Sequence, residues 1–204
     1  MLIGIDFDNT IVCYDQLFFD VAREQALIPA DLQVSKDAVR NHLRATGREQ
    51  SWIELQGAVY GSHMLNAKPF PEFFEFIRHA RALNVKLAIV SHKTRYPFSG
   101  PRYDLHQAAR NWIESQNLHG LAGHSLSAEA VFFELTKNDK IARIKALGCT
   151  HFIDDLPEIL REIASDITPE RILFDPAKHH QELDVFTRVS SWSEITAMFL
   201  SGAS

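Results

Sequence analysis

The chain has 204 residues, 46% of them hydrophobic, which is enough for one α/β core with a small accessory insertion. Its formal net charge of −5 gives no broad cationic surface, so we expect a small soluble ligand rather than a nucleic acid or an anionic membrane. The two cysteines, Cys13 and Cys149, form no disulfide framework or metal motif and are predicted to be buried, reduced thiols.

The first predicted strand, residues 2–5, is an apolar run that stops at Asp6. It has no basic start and no long apolar continuation, so we interpret it as neither a secretion signal nor a membrane span. We therefore expect a cytoplasmic protein.

Only helical patterns follow this strand, at residues 14–26, 35–45 and 50–65. This is too much chain for a simple crossover between two strands. We interpret residues 14–67 as an inserted helical cap, and the prolines of residues 68–71 as the return to the core. Residues 1–13 and 68–204 then form the α/β catalytic core.

Strands and helices alternate along the rest of the chain. Further strands are predicted at residues 85–90, 130–133, 151–153, 171–174 and 186–189, and helices at residues 71–83, 104–116, 137–147, 156–164 and 193–200. The alternation predicts a doubly wound parallel α/β sheet of the Rossmann type. Ligands of such sheets bind outside the carboxyl ends of the strands.

Two carboxylates follow the first strand, in the segment Asp6-Phe-Asp8-Asn-Thr10. Their alternation puts Asp6 and Asp8 on the same side of an extended segment. Asp-Asn-Thr is also ordinary turn chemistry, so this segment alone does not separate a catalytic site from a turn.

Polar side chains also follow three later strands. Ser91 ends the second strand, Lys137 and Lys140 open the helix after the third, and Asp154 and Asp155 end the fourth. Adjacent carboxylates after a buried strand are unfavourable unless a cation compensates them. The acid pair therefore indicates a compensating cation.

Taken in this order, the four features resemble the signature of the haloacid dehalogenase (HAD) superfamily, over nearly the whole chain. The resemblance implies that Asp6 is the nucleophile that takes the phosphoryl group as an aspartyl-phosphate. Asp8 would protonate the leaving alcohol and later activate water. Ser91 and either Lys137 or Lys140 would hold the phosphoryl oxygens.

The resemblance also implies a Mg²⁺ site formed by Asp6, the backbone carbonyl of Asp8, Asp154 and Asp155. Hard oxygen ligands suit this metal. A metal and a lysine are needed because a carboxylate and a phosphate dianion repel each other. One departure concerns the metal site: many relatives carry an acid four residues beyond the position of Asp155, where this chain has Ile159.

Position along the predicted helix favours Lys137 over Lys140 as the phosphate-binding lysine. Thr136 fits a helix cap, which places Lys137 at the first helical position. Lys140 stays an alternative, because it lies one turn further on and its side chain leans back toward the helix N-terminus.

The candidate substrate-binding residues are Thr10, His92, Lys93 and Arg95. The last three belong to a long segment, residues 92–103, in which basic and aromatic side chains alternate between prolines. Such a loop suits contact with an anionic small molecule. In the insertion, Trp52 and Tyr60 are interpreted as packing residues.

These features together predict a Mg²⁺-dependent phosphohydrolase that acts on a small phosphorylated metabolite. Asp8 argues against halide chemistry, because the dehalogenating members carry no aspartate at this position. A phosphomutase would use the same residues and stays an alternative. A phospho-receiver domain would carry its acid pair first and its lysine last, the reverse of the order here. A non-catalytic binding protein of this fold would be expected to lack key side chains, and none is missing.

Overall fold

The computed structural model describes residues 1–163, 169–180 and 186–200. The strands are β1 (Leu2–Ile5), β2 (Val12–Cys13), β3 (Lys68–Pro69), β4 (Lys86–His92), β5 (Val131–Glu134), β6 (His151–Asp154), β7 (Glu170–Phe174) and β8 (Thr187–Val189). The α-helices are α1 (Asp15–Glu24), α2 (Lys36–Ala45), α3 (Glu49–Tyr60), α4 (Phe73–Ala82), α5 (Leu105–Ser115), α6 (Leu118–Ala122), α7 (Lys137–Leu147), α8 (Pro157–Glu162) and α9 (Trp192–Leu200). Short 3-10 helices lie at Met64–Asn66, Gly123–Ser125 and Ala128–Ala130. Within the described residues, no helix has the length and apolar composition needed to cross a membrane.

The chain divides into two compact units. Unit 1 comprises Met1–Ile11, Pro69–His92 and Asn117–Ser204, and unit 2 comprises Val12–Lys68 and Lys93–Gln116. Unit 2 therefore contains the predicted insertion together with a second segment that the sequence analysis assigned to the core. The role of unit 2 as a cap stays a prediction.

Unit 1 contains a six-stranded sheet in the order β5-β4-β1-β6-β7-β8, in which every neighbouring pair is parallel. This confirms the predicted doubly wound parallel α/β sheet. In the two ladders of β1, Ile5 is the register partner of Ile89 in β4 and of Ile153 in β6. The carboxyl ends of these three central strands therefore meet at one edge of the sheet, where Asp6 follows β1.

Helices cover both faces of this sheet. On one face, Ile144 of α7 and Ile159 of α8 belong to a buried cluster that includes Phe152 of β6. On the other face, Ile3 lines a small apolar space with Phe76 of α4 and residues of α9. Burial of apolar surface on both sides is the main favourable contribution to this three-layer arrangement.

Helix α7 has the bounds that the sequence predicts, because both of its ends carry strong local signals. At its start, the Thr136 hydroxyl accepts a hydrogen bond from the backbone N–H of Asp139 (3.1 Å) and donates one to the Asp139 carboxylate (2.7 Å). At its end, Gly148 adopts a left-handed conformation with φ of 67°, which terminates the helix. The cap fixes the first residue of α7, and with it the positions of Lys137 and Lys140 along the helix.

Unit 2 is built from α1, α2, α3 and α5 around an aromatic core. The Phe18 ring stacks on Trp52 with centroids 5.0 Å apart, and Trp52 is 3% exposed. The Trp112 indole Nε1–H donates to the carbonyl of Ala67, 2.9 Å away. The predicted packing role of Trp52 is confirmed, whereas Tyr60 is only half-buried.

Both cysteines are free, but their surroundings differ. Cys149 is buried, and burial raises the pKa of its thiol to about 11. Cys13 is half-buried, so the prediction of a buried thiol is wrong for this residue. Cys13 belongs to the short strand β2, which pairs with β3 in a two-stranded sheet.

Gly4 is predicted to be essential for close packing under the central strand. A Cβ atom at this position would lie 2.6 Å from Phe152 Cδ2 and 2.9 Å from Cys149 Sγ. We expect Gly4→Ala to lower the free energy of unfolding by about 1–3 kcal/mol, measured by urea denaturation, because overpacking displaces buried neighbours. Cys149→Ala removes one of the two close atoms, so the double variant should lose less than the sum of the single losses. Additivity within about 0.5 kcal/mol would contradict this account of the contact.

Candidate active site

The backbone of the central strands fixes the position of Asp6. The N–H of Asp6 donates to the carbonyl of Ile153 in β6, 2.9 Å away, so the ladder between β1 and β6 continues past the end of β1. Asp6 is 4% exposed. Its carboxylate is therefore held at the carboxyl edge of the sheet with little contact to solvent.

Lys140 joins two of the predicted acids. Its Nζ lies 2.6 Å from Asp6 Oδ1 and 2.6 Å from Asp154 Oδ2, and its side chain is 1% exposed. The other oxygen of Asp154, Oδ1, accepts a hydrogen bond from the backbone N–H of Leu156 at 3.0 Å. One buried ammonium thus bridges two buried carboxylates that come from two neighbouring strands.

Burial and charge act in opposite directions on the pKa values of this cluster. Burial by itself lowers the pKa of Lys140, but the negative charges of Asp154 and Asp6 outweigh it, and the net effect is a raised pKa. Burial raises the pKa of Asp154 to about 7, against the opposing effect of the Lys140 charge. Lys140 therefore stays protonated and supplies the positive charge of the site.

Three carboxylates of unit 1 are placed close enough to hold one metal ion. Asp6, Asp154 and Asp155 each offer an oxygen, and these oxygens lie within 4.8 Å of one another. Three carboxylates against one ammonium leave a net negative formal charge in a largely buried site. Hard oxygen donors and this charge fit a divalent cation such as Mg²⁺. The carbonyl of Asp8 stays a predicted further ligand.

Two buried hydroxyls near these acids have no hydrogen-bond partner within the described part of the chain. They are Ser91 Oγ, on β4, and Thr10 Oγ1, in the turn after β1. Buried hydroxyls normally find a partner. The two groups are therefore suited to bind oxygens of a ligand, which is the role predicted for both residues.

The structure brings Lys140, and not the favoured Lys137, into contact with Asp6, and which lysine binds phosphate stays a prediction. Lys137 Nζ lies 3.1 Å from Glu158 Oε1, and the two side chains are 42% and 47% exposed. Helix faces alone do not reveal depth: the first helical position lies at the solvent-exposed rim, whereas Lys140, one turn further on, reaches back beneath the sheet edge. Ile159, at the position where relatives carry an acid, is fully buried in α8.

The predicted substrate-binding residues are divided between the two units. In unit 1, His92 Nε2 lies 3.2 Å from the carbonyl oxygen of Leu135, at the end of β5. In unit 2, Lys93 is 5% exposed and its Nζ lies 5.0 Å from the centroid of the Tyr60 ring. The ammonium and the half-buried aromatic ring form a cation–π contact within unit 2.

Residues 93–105 of unit 2 form a closed loop. Arg95 is exposed, its Nε lies 3.0 Å from Asp104 Oδ2, and its carbonyl accepts a hydrogen bond from the N–H of Leu105 at 2.9 Å. Loop and helix α3 together line a cavity of about 100 Å³; its polar lining residues include Gln56 and Thr94. Arg95 is thus engaged in closing the loop.

One residue that contacts the turn after β1 was not found from the sequence. Trp192, the first residue of α9, donates its indole N–H to the carbonyl of Thr10 at 3.1 Å. The two residues are 182 positions apart in the sequence, and no local pattern connects them.

Similarity to known proteins supports the fold. No family model matches the sequence, and no curated protein matches it. A HAD-superfamily hydrolase from Ehrlichia chaffeensis is similar in structure, with 14% identity, a TM-score of 0.52, and 98% of this chain and 96% of that chain covered. A HAD family hydrolase from Deinococcus radiodurans R1 with bound phosphate and sodium is 15% identical with a TM-score of 0.56, and the match covers 98% of this chain and 95% of that chain. A protein described as a dehalogenase is 12% identical with a TM-score of 0.59, and the match covers 97% of this chain and 96% of that chain. The chain therefore has the fold of the HAD-superfamily hydrolases, as its sequence predicts.

Replacing each of the two lysines in turn should show that the buried ion pair of Lys140 matters more for stability than the surface ion pair of Lys137. Lys140→Met leaves Asp6 and Asp154 buried without their cation, and we expect a loss of about 3–5 kcal/mol in the free energy of unfolding. Lys137→Met breaks only an exposed pair and should lose about 0–1 kcal/mol. Urea denaturation at pH 8 in the presence of a chelator measures both. Equal losses would contradict the placement of Lys140.

Proposed function

We propose that this chain is a Mg²⁺-dependent phosphohydrolase that cleaves a small phosphorylated metabolite through an aspartyl-phosphate on Asp6. The observation that carries the proposal is the contact of the Lys140 ammonium with Asp6, 2.6 Å away, and with Asp154. A carboxylate attacks a phosphate dianion only if their repulsion is cancelled. A fixed positive charge in direct contact with the nucleophile is suited to that task.

Mg²⁺ would be held by Asp6, Asp154 and Asp155, whose oxygens lie within 4.8 Å of one another, and by the carbonyl of Asp8. When bound, this ion neutralises charge on the phosphoryl oxygens and fixes their orientation. Lys140 and the Ser91 hydroxyl would bind phosphoryl oxygens as well. These roles need no movement of the protein charges during the reaction, which favours electrostatic stabilisation of the transition state.

In the first step, a carboxylate oxygen of Asp6 attacks phosphorus and the ester P–O bond breaks. Asp8, in its protonated form, gives its proton to the departing alcohol oxygen. The products of this step are the free alcohol, the aspartyl-phosphate on Asp6 and the Asp8 carboxylate. Asp8 is half-buried, unlike the buried Asp6, so access to a leaving group and to water suits its role.

In the second step, the Asp8 carboxylate takes a proton from a water molecule whose oxygen attacks the phosphorus of the aspartyl-phosphate. The bond between phosphorus and the Asp6 oxygen breaks, and inorganic phosphate leaves. Asp6 returns to a carboxylate and Asp8 is again protonated. Splitting hydrolysis into two displacements is the usual advantage of a covalent intermediate.

The same residues would serve a phosphomutase, and a similar fold serves a dehalogenase. Asp8 favours phosphoryl transfer, because a departing halide needs no proton from an acid. A panel of phosphorylated metabolites, assayed with Mg²⁺ for both phosphate release and isomerisation, distinguishes the two phosphoryl-transfer reactions. Release of phosphate from at least one compound is the expected result, and isomerisation without release would favour the mutase.

Asp6→Asn should abolish turnover and covalent phosphorylation, because an amide cannot form the acyl-phosphate. Asp8→Asn keeps the nucleophile but loses acid and base assistance, and should lower kcat by roughly 10²–10⁴-fold. Lys137→Met is the control, since its exposed ion pair lies outside the site. Phosphate-release kinetics and acid-quenched labelling measure the effects. Near-normal turnover of Asp6→Asn would refute the mechanism.

Asp155→Asn should raise the Mg²⁺ concentration needed for half-maximal activity by about 10-fold or more, because one ligand of the site loses its charge. The matched control is Glu158→Gln, which neutralises a nearby carboxylate that is paired with Lys137. Titration of phosphate release with Mg²⁺ gives both values. Full activity in excess chelator would overturn the metal requirement, and equal shifts in the two variants would overturn the assignment of Asp155.

A further inference from the structure

We infer that Trp192 is a positioning residue that holds the catalytic turn, residues 6–10, in its reactive conformation. This inference rests on the proposed function. Trp192 is fully buried, and its indole N–H donates to the Thr10 carbonyl at 3.1 Å. Thr10 lies two residues after the proposed acid and base, Asp8. The hydrogen bond therefore connects the C-terminal helix α9 directly to the segment that carries both catalytic aspartates.

The turn needs such support because its backbone is strained. Asn9, between Asp8 and Thr10, adopts a left-handed conformation with φ of 58°. Asparagine tolerates the left-handed region better than most residues. Even so, this conformation persists only where surrounding contacts impose it. Two backbone hydrogen bonds contribute: Ile11 N–H to the Phe7 carbonyl (3.1 Å) and Phe70 N–H to the Ile11 carbonyl (2.8 Å). The Trp192 hydrogen bond holds the carbonyl of Thr10, the residue between Asn9 and Ile11.

Trp192 is itself held on several sides. Its ring lies 4.9 Å from the centroids of Phe73 and Phe76 on α4, and 5.6 Å from that of Phe174 at the end of β7. The next residue, Ser193, donates its backbone N–H to Glu72 Oε2 at 3.0 Å. The indole cannot turn away from Thr10 without disturbing this aromatic packing, so its donor is oriented before any ligand binds.

Loss of the indole donor should therefore affect turnover more than substrate affinity. Displacement of a catalytic group by about 1 Å can lower a rate by about 100-fold. For Trp192→Phe, which keeps an aromatic ring, we expect kcat to fall about 10- to 100-fold while KM changes little. The Ile11 amide, whose hydrogen bond closes the turn, should exchange with deuterium faster than in the wild-type protein.

The test compares Trp192→Phe with Ile195→Val, which removes one methylene from a buried residue one turn along α9. Kinetics, thermal unfolding and hydrogen exchange of the Ile11 amide are measured on all proteins. Changes confined to Trp192→Phe support positioning. Unchanged kcat and exchange in that variant, or losses in both variants that follow stability alone, would overturn it.

A second replacement isolates the hydrogen bond if phenylalanine disturbs folding. Site-specific incorporation of 3-benzothienylalanine at position 192 keeps the shape of the indole and exchanges its N–H for sulfur. The same fall in kcat and faster Ile11 exchange are expected, and wild-type values for both would overturn the inference. If the wild-type protein releases no phosphate from any substrate, the proposed function fails, while the exchange measurement still tests the restraint on the turn.

Discussion

The arrangement of unit 1 depends on how Lys140 balances the charge of Asp6 and Asp154. Two carboxylates buried on neighbouring strands would repel each other strongly at the low polarity of a protein interior. The ammonium 2.6 Å from each makes their burial possible. Asp155 has no such depth and is the most exposed of the three clustered carboxylates.

The parallel sheet provides the geometry in which this balance can exist. Because β1 lies between β4 and β6, residues far apart in the chain end at one edge, and a helix that packs on the sheet supplies the cation from below. The hydroxyl of Ser91 comes from a neighbouring strand at the same edge. Asp6 and Lys140 are buried, whereas Asp8 is half-buried, and under the proposed mechanism this difference would separate charge stabilisation from proton transfer.

Much of this could be predicted from the sequence, and the failures have physical causes. Strand Leu2–Ile5 and helix Lys137–Leu147 have the predicted bounds, because an apolar run ended by a charge, a threonine cap and a terminal glycine are local signals. A helical projection contains no depth, so it does not show that Lys140 contacts Asp6 while Lys137 pairs with Glu158 at the surface. Residues 93–116 were assigned to the core since their pattern resembles any other helix of the sheet, whereas their contacts are with unit 2. The Trp192 hydrogen bond joins distant residues and leaves no periodic trace in the sequence.

The central position of β1 has a consequence for synthesis on the ribosome. Strand β1 is flanked in the sheet by β4 and β6, and the second of these ends only at Asp154. At translation rates of about 5–20 residues per second, roughly 7–30 seconds pass between the synthesis of β1 and that of its second neighbour. All of unit 2 has been synthesised by then, since its last residue is Gln116. The segment bearing Asp6 is therefore synthesised well before the strand that completes its surroundings in the sheet.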